Sequence, residues 1–288
     1  MKIFCFGFGQ VAKHFIQKIV SEKISVELNI SSRQKTCEDI FESIKLKSYN
    51  FDNQNIDLEI YKKIEEADHI LISIPPIESQ DSVITHFKEV LKKSKCKWIT
   101  YLSATSVYGN HNGAWVNENC KTKPTSPNGL GRLNVENKWL SFSREFNLPF
   151  QIFRLSGIYS NQNNILKRLI SGQAKLIKKE NQFFSRIYVE DIANILFCSL
   201  TKFKPNEIYN ISDDKPASQE DIIKYGSKLL NIDLPKSIEM NQLDNQMLKA
   251  FYKDSKKVDN KKMKKFFNYK LKYPTYVEGL NYIFNNTI

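Results

Sequence analysis

Gly7-Phe8-Gly9-Gln10-Val11-Ala12 is the stretch on which the fold of this chain turns. Immediately upstream, Lys2 to Phe6 reads Lys-Ile-Phe-Cys-Phe, a short apolar run stopped by a glycine. Downstream, Val11 to Val20 places apolar residues at helical spacing. The sequence therefore predicts strand, glycine turn, helix. In that setting each small residue has a physical task. The first glycine permits a tight turn, the second lets backbone N–H groups approach a pyrophosphate at the helix N-terminus, and a small residue at Ala12 lets helix and strand pack closely. The plainer alternative is a βα turn that binds nothing.

The same alternation continues. Ile24 to Ile30 reads as a second strand and Leu46 to Phe51 as a weaker third. After a helix near Leu58 to Glu66, His69 to Ile74 is a buried-strand pattern ended by Pro75 and Pro76. Ser82 to Lys93 is an amphipathic helix and Trp98 to Leu102 a fifth strand. Gly109 to Leu130, rich in Asn, Gly, Pro and Thr, reads as a long polar loop before a helix at about Arg132 to Phe146. Pro149 to Leu155 and Ser185 to Val189 follow as strands, and the chain beyond Ser218 is mostly helical and lysine-rich. Strands alternating with helices predict an α/β fold, a Rossmann-type doubly wound parallel sheet with a smaller, helix-rich C-terminal substrate lobe. The expected division is a dinucleotide-binding domain over 1–158, with 184–212 contributing to it, and a substrate lobe from 159–183 and 213–288.

Composition narrows the classes. With 288 residues, 41% hydrophobic and 26% charged, the chain can bury a sizeable core, and disorder is excluded as a default. The net charge of +12 raises the question of a polyanionic partner, but the lysines are spread along the whole chain and arginine is scarce. Solvated lysines are the preferred reading, and nucleic acid is disfavoured as a partner. Five cysteines, Cys5, Cys37, Cys96, Cys120 and Cys198, form no Cys-x-x-Cys pair, so reduced, buried thiols are expected. No leader pattern and no apolar run long enough to span a bilayer is present, which predicts a cytoplasmic protein with no membrane partner.

For a dinucleotide, an acidic residue about 20 positions beyond the glycine turn would take the adenosine ribose 2′-hydroxyl of NAD. This chain has Ser31, Ser32 and Arg33 there instead. Two hydroxyls and a guanidinium suit a 2′-phosphate, so NADP is preferred over NAD. The alternative for Arg33 is a solvated loop cation.

Five segments together are similar to the short-chain dehydrogenase/reductase superfamily, in its extended and atypical branches of NAD-dependent epimerase/dehydratase-like proteins. They are the Gly7 to Ala12 turn, the strand end Ser73-Ile74-Pro75-Pro76, the run Tyr101-Leu102-Ser103-Ala104-Thr105-Ser106-Val107-Tyr108-Gly109, Arg154 to Tyr159, and Ser185 to Ala193. The resemblance spans nearly the whole chain. It implies NAD(P) held by Gly7, Phe8, Gly9, Gln10 and Val11, with Ser31, Ser32, Arg33, Ile74, Pro75, Pro76 and Ser103 around it. Active members carry a Ser/Thr and a Tyr-x-x-x-Lys pair beside the nicotinamide, where the lysine lowers the tyrosine's pKa. The Ser/Thr position falls on Ala104, the tyrosine position on Asn128 and the lysine position on Arg132. An asparagine amide cannot serve as a proton donor of tunable acidity. Arg132 could still hold a ribose or phosphate, and Thr105 or Tyr108 could supply a hydroxyl. For Tyr108 a structural role is the plainer reading.

Other candidates are weaker. His111, near Trp115 in the polar loop, could do acid/base work, though a lone loop histidine is usually solvated. His14, His69 and His86 lack metal-ligand spacing, so no metal is expected. Glu190 and Asp191 read as a helix cap rather than paired catalytic carboxylates. Lys253 to Lys272 could clamp a diphosphate, against the plainer helix with Val258, Met263 and Phe266 inward. Three functions compete. The first is an NAD(P)-dependent oxidoreductase with an atypical site, acting on a small molecule that bears a nucleotide or phosphate. The second is a catalytically silent NAD(P)-binding sensor or scaffold, and the third, weakest, is a nucleic-acid-associated protein. Paired-helix homodimers are an expectation from the resemblance alone.

Overall fold

The computed structural model of the protein describes residues 1–52, 54–77, 79–239, 242, 249 and 252–288. In chain order the first elements are β1 (Lys2–Phe6), α1 (Gln10–Ser21), β2 (Glu27–Ser32), β3 (Cys37–Phe41), β4 (Ile44–Asn50), α2 (Glu59–Glu66), β5 (His69–Ile72), α3 (Ser82–Lys93) and β6 (Trp98–Ala104). A 3-10 turn, Thr105–Tyr108, precedes β7 (Trp115–Val116), α4 (Pro127–Phe146), β8 (Phe150–Leu155), β9 (Gly157–Tyr159), α5 (Ile165–Ile170), β10 (Leu176–Ile177) and β11 (Arg186–Tyr188). Then come α6 (Val189–Ser199), β12 (Glu207–Ile211), α7 (Gln219–Leu230), β13 (Ser237–Ile238), β14 (Lys257–Val258), α8 (Lys261–Phe267) and α9 (Tyr276–Thr287).

The described chain separates into two compact units. The first comprises Met1–Ser103, Leu130–Arg154 and Ile192–Ile208, the second Ala104–Gly129, Leu155–Asp191 and Tyr209–Ile288. The first unit is built on a sheet of order β12-β8-β6-β5-β1-β2-β4-β3. The pairs β6–β5, β5–β1, β1–β2 and β2–β4 are parallel. Only the outermost pair, β3–β4, is antiparallel among these. The chain winds outward from β1 through β2 and β4, then returns to β1's other side as β5. That reversal makes the carboxyl ends of β1 and β5 a switch point, the place where open α/β sheets bind ligands. The predicted α/β, Rossmann-type sheet is the observed one.

Its inner strands β1, β5, β6 and β8 are mostly apolar and buried because both faces are covered. Phe4, Phe6, Ile70, Ile72, Ile99 and Phe150 are buried in one cluster with Phe87 of α3 and Trp139 of α4. Trp139 stacks on Phe150 with centroids 5.0 Å apart and planes 11° apart. Across α4, Glu136 receives Arg154 of β8 through Nε at 3.1 Å and Nη2 at 2.7 Å, both side chains buried.

Three elements differ from expectation. The second strand runs Glu27–Ser32 instead of Ile24 to Ile30, because Ile24 is exposed while Leu28 and Ile30 are buried. Ser31 and Ser32 therefore lie within a strand. The crossover to the third parallel strand is a hairpin, not a helix. Glu42 (φ 48) and Ser43 (φ 66) close it in the two-residue geometry that matches strand twist. Finally, α4 starts at Pro127, so the polar loop ends sooner than Leu130. Ser126 Oγ accepts the Gly129 N–H at 3.1 Å, a cap followed by proline at the first helical position.

The second unit has its own core, in which Tyr159, Leu166, Tyr188, Ile223, Tyr273 and Ile283 are buried together. Here Gly279 is required by space. A Cβ on it would lie 2.1 Å from the Tyr159 hydroxyl. Capping boxes at Ser218/Asp221 and Thr275/Glu278 start α7 and α9.

Candidate dinucleotide site

The turn between β1 and α1 is held from inside. Gly7 adopts φ +82, a conformation open to glycine, and its N–H donates to Ser31 Oγ at 3.2 Å. Ser73, just beyond β5, donates its hydroxyl to the carbonyls of Phe6 (2.9 Å) and Gly7 (3.0 Å). A Cβ on Gly7 would come within 2.8 Å of Ile74 Cγ2. Both conformation and neighbours demand glycine at this position.

Gly9 is different. Its φ is −79, and a Cβ there would meet nothing within 4 Å. Protein packing does not explain its lack of a side chain. It is the N-cap of α1, with no side-chain cap and no acidic residue in the first turn, while Val11 and Ala12 are buried against the sheet. The first N–H groups of α1, which have no partner within the helix, and its positive dipole end lie next to that open position, the donor set an anionic pyrophosphate needs. These residues fit such a group. Ile74 is half-buried beside Gly7, Pro75 is exposed, and Pro76 lies 3.8 Å from the position of a Cβ on Gly131 of α4.

At the end of β2 the three polar residues part company. Ser31 is buried and occupied with Gly7. Ser32 Oγ accepts the Gln34 N–H at 3.2 Å and the Ser48 hydroxyl at 3.0 Å, while Arg33 is exposed. The turn beyond is braced. Asn50 donates its side-chain N–H to Gln34 O at 3.0 Å and its backbone N–H to Thr36 Oγ1 at 3.0 Å, and Thr36 donates to Asp57 at 2.6 Å.

The end of β6 carries Ser103, buried, whose Oγ has no hydrogen-bond partner among the described residues. Beside it Arg132 Nη1 donates to Leu102 O at 3.0 Å. Burial pushes the Tyr101 phenol well up, with the Arg132 charge opposing. Gly7, Ile74, Ser103 and Arg132 are thus collected at the carboxyl ends of β1, β5 and β6.

In the second unit, Thr105 and Tyr108 sit in the 3-10 turn, both buried. Tyr108 donates its hydroxyl to Asn210 Oδ1 at 2.8 Å. Asn210 in turn donates its backbone N–H to Glu118 at 2.7 Å and its side chain to Asp259 O at 3.1 Å. Burial pushes the Glu118 carboxyl up. His111 Nε2 lies 3.1 Å from Tyr108 O, and Trp115 is 55% exposed. Asn128 is exposed in the first turn of α4, four residues before Arg132.

The family model for the NAD dependent epimerase/dehydratase family matches residues 83–212. A protein named putative UDP-glucose 4-epimerase, from Methanocaldococcus jannaschii, is 24% identical over 76% of this chain and 80% of its own length. Among solved structures, a functionally unknown conserved protein from Silicibacter pomeroyi is 30% identical, with TM-score 0.85, 99% of this chain covered and 98% of that one. UDP-glucuronic acid 4-epimerase from Bacillus cereus, solved in complex with NAD, shares the fold with TM-score 0.76 at 19% identity, 98% of each chain covered. The chain belongs to the short-chain dehydrogenase/reductase superfamily, on its NAD-dependent epimerase/dehydratase branch.

In this epimerase/dehydratase-family protein several side expectations need correction. Glu190 and Asp191 do lie in the first turn of α6, but the helix begins at Val189, so neither is its N-cap, and Asp191 is engaged elsewhere. It accepts the Tyr269 hydroxyl at 2.7 Å and the backbone N–H groups of Lys272 (2.8 Å) and Tyr273 (2.9 Å), pinning the C-terminal segment. Glu190 takes Lys272 Nζ at 2.8 Å. In α8 the fully buried aromatic is Phe267, and Phe266 is only half-buried. Val258 and Met263 do face inward. Of the five cysteines, Cys5 and Cys96 are buried and Cys37 is exposed. Among the described residues no three His, Cys, Asp or Glu side chains group as a metal site, and no helix is long and apolar enough to cross a membrane. Ser73 was absent from the sequence candidates. The signal for it was its place before Ile74-Pro75-Pro76, where a strand ends and a hydroxyl can reach the neighbouring turn.

Proposed function

We propose that the protein is an NAD(P)-dependent oxidoreductase of the epimerase/dehydratase type with an altered proton-transfer site, acting in the cytoplasm on a small molecule that bears a nucleotide or phosphate. The observation that carries this reading is the open space above Gly9 at an uncapped helix N-terminus. Residues Gly7 to Val11 hold the pyrophosphate. Ile74, Pro75, Pro76 and Ser103 flank the nicotinamide half, and Arg132 holds its ribose. The bound dinucleotide supplies hydride transfer. Ser32 and Arg33 receive the adenosine 2′-phosphate, so NADP is preferred over NAD, while Ser31, buried against Gly7, acts from behind. The substrate lobe is built from 159–183 and 213–288, and the names of the relatives acting on UDP-sugars support a nucleotide sugar as its ligand.

With Ala104 and Asn128 at the family's Ser/Thr and tyrosine positions, and with the Tyr108 hydroxyl already donated to Asn210, Thr105 is preferred over Tyr108 as the hydroxyl that stabilises developing charge. The same residues favour a second reading, a silent dinucleotide-binding sensor. Calorimetric titration with NADPH, NADH and their oxidised forms, repeated on Arg33→Ala, tests the first. Tight NADPH binding weakened about tenfold in Arg33→Ala is the expected outcome, on the scale of one charge-assisted contact. Binding of no dinucleotide would overturn both readings. Binding without turnover of any nucleotide sugar leaves the sensor.

A further inference from the structure

Parallel neighbours in a sheet need a crossover connection, usually a helix. Between β2 and β4 this chain uses the antiparallel edge strand β3, and the resulting hairpin closes on α1. The Phe41 ring meets the Phe8 ring edge-on, with centroids 5.0 Å apart and planes at 81°. One residue further, Glu42 accepts the Gln17 side-chain N–H at 2.8 Å. The ammonium of Lys13, which shares α1 with Gln17, lies 6.0 Å from the Phe8 centroid. The base of the hairpin is fixed independently through Thr36, Asn50 and Asp57.

Phe8 is the residue between the two glycines. With two glycines, a Gly-x-Gly turn loses more backbone freedom on ordering than a turn of residues that carry side chains. From inside it is tied at Gly7 by Ser31 and Ser73. From outside, Phe8 offers the one side chain between the glycines that can be gripped. We propose that the β3–β4 hairpin is a brace for the dinucleotide turn and that Phe41 is its positioning residue, acting through Phe8 to keep the N–H groups of Gly9 to Val11 aimed at a pyrophosphate. The proposal rests on the cofactor reading above and adds to it an element that does not itself touch the ligand.

The fingerprint of such a role is a loss shared by all ligands with a pyrophosphate and indifferent to the 2′-phosphate. NADH, NADPH and ADP-ribose should each bind Phe41→Ala about three- to tenfold more weakly than the unaltered chain, the span of one aromatic pair. Phe41→Tyr should restore binding. Ile40→Ala, at the neighbouring residue of the hairpin, 69% exposed, should change nothing. A second measurement needs no variant. Saturating ADP-ribose should slow amide exchange across Cys37–Phe41 as well as across residues 7–12. If the unaltered chain binds no dinucleotide, the cofactor reading itself fails. If it binds and Phe41→Ala binds equally well, or the hairpin amides exchange as before, the brace alone is overturned.

Discussion

The Tyr108 hydroxyl donates to Asn210 Oδ1 across 2.8 Å, and both side chains are buried. Asn210 is also the residue that engages Glu118 and Asp259 O, so this phenol is one member of a satisfied network and not a free acid. Tyr108→Phe should leave a buried amide oxygen short of a donor. The expected cost is about 1–3 kcal/mol of unfolding free energy. If the protein proves catalytic, the pH profile of kcat should be unmoved in this variant. A lost acidic limb would give Tyr108 the proton-transfer role instead.

The two glycines of the dinucleotide turn should separate under the same substitution. Gly7→Ala meets φ +82 and a Cβ only 2.8 Å from Ile74 Cγ2, so it should destabilise by roughly 1–3 kcal/mol. Gly9→Ala has an ordinary φ and open space. Its melting temperature should fall only by the small N-cap preference of glycine over alanine, less than in Gly7→Ala, while dinucleotide affinity falls. Thermal melts and titration on the two variants measure this. Undiminished binding by Gly9→Ala would mean that the space above Gly9 is not used.

The parts of this fold that could be read from the sequence are those where one period dominates. Lys2–Phe6 and Ser82–Lys93 agree residue for residue, because apolar spacing there reflects burial and nothing competes with it. The hairpin was invisible because β3 lies at the sheet edge. Cys37 to Ile40 are all exposed, so no buried face imposes alternation on the text Cys-Glu-Asp-Ile-Phe. The start of α4 was read late because Pro-Asn-Gly-Leu-Gly is turn chemistry on paper. Its glycines are instead packing positions, since a Cβ on Gly129 would sit 2.8 Å from Ser106 O. In the site, the motif located the turn, but that Ser31 faces inward while Arg33 faces solvent depended on where β2 ends.

Glu136 and Arg154 form a buried pair that reaches across α4 to β8. Removing Glu136 takes from the buried Arg154 guanidinium the carboxylate that both its Nε and its Nη2 hold. Glu136→Leu should therefore cost about 3–5 kcal/mol, seen as a lower denaturation midpoint at unchanged slope. Replacing both, as Glu136→Leu with Arg154→Met, should recover most of that loss, because two desolvation penalties disappear with the attraction. A double variant as unstable as the sum of the singles would mean zero coupling between the two residues and would overturn the pair as a unit.

His69 gives the protein a pH dependence of its own. It opens β5, its ring centroid lies 6.1 Å from that of Trp98, and its Nδ1 is buried with no hydrogen-bond partner among the described residues. Burial lowers its pKa from 6.5 to about 4, with Asp68 opposing and Lys97 and the N-terminus reinforcing. The folded chain therefore holds the proton less well than the unfolded one. Stability from this group is complete above about pH 6.5 and is lost as pH falls toward about 4. The loss should be roughly 2 kcal/mol over that window. Asp52, Asp57 and Asp68, with pKa values lowered by hydrogen bonds, act in a lower range, below their ordinary 3.8. His69→Phe should accordingly flatten the stability curve between pH 6.5 and 4 while leaving the steep acid limb in place. Urea midpoints at half-unit pH intervals would test this, and an unchanged slope in His69→Phe would assign the dependence to other groups.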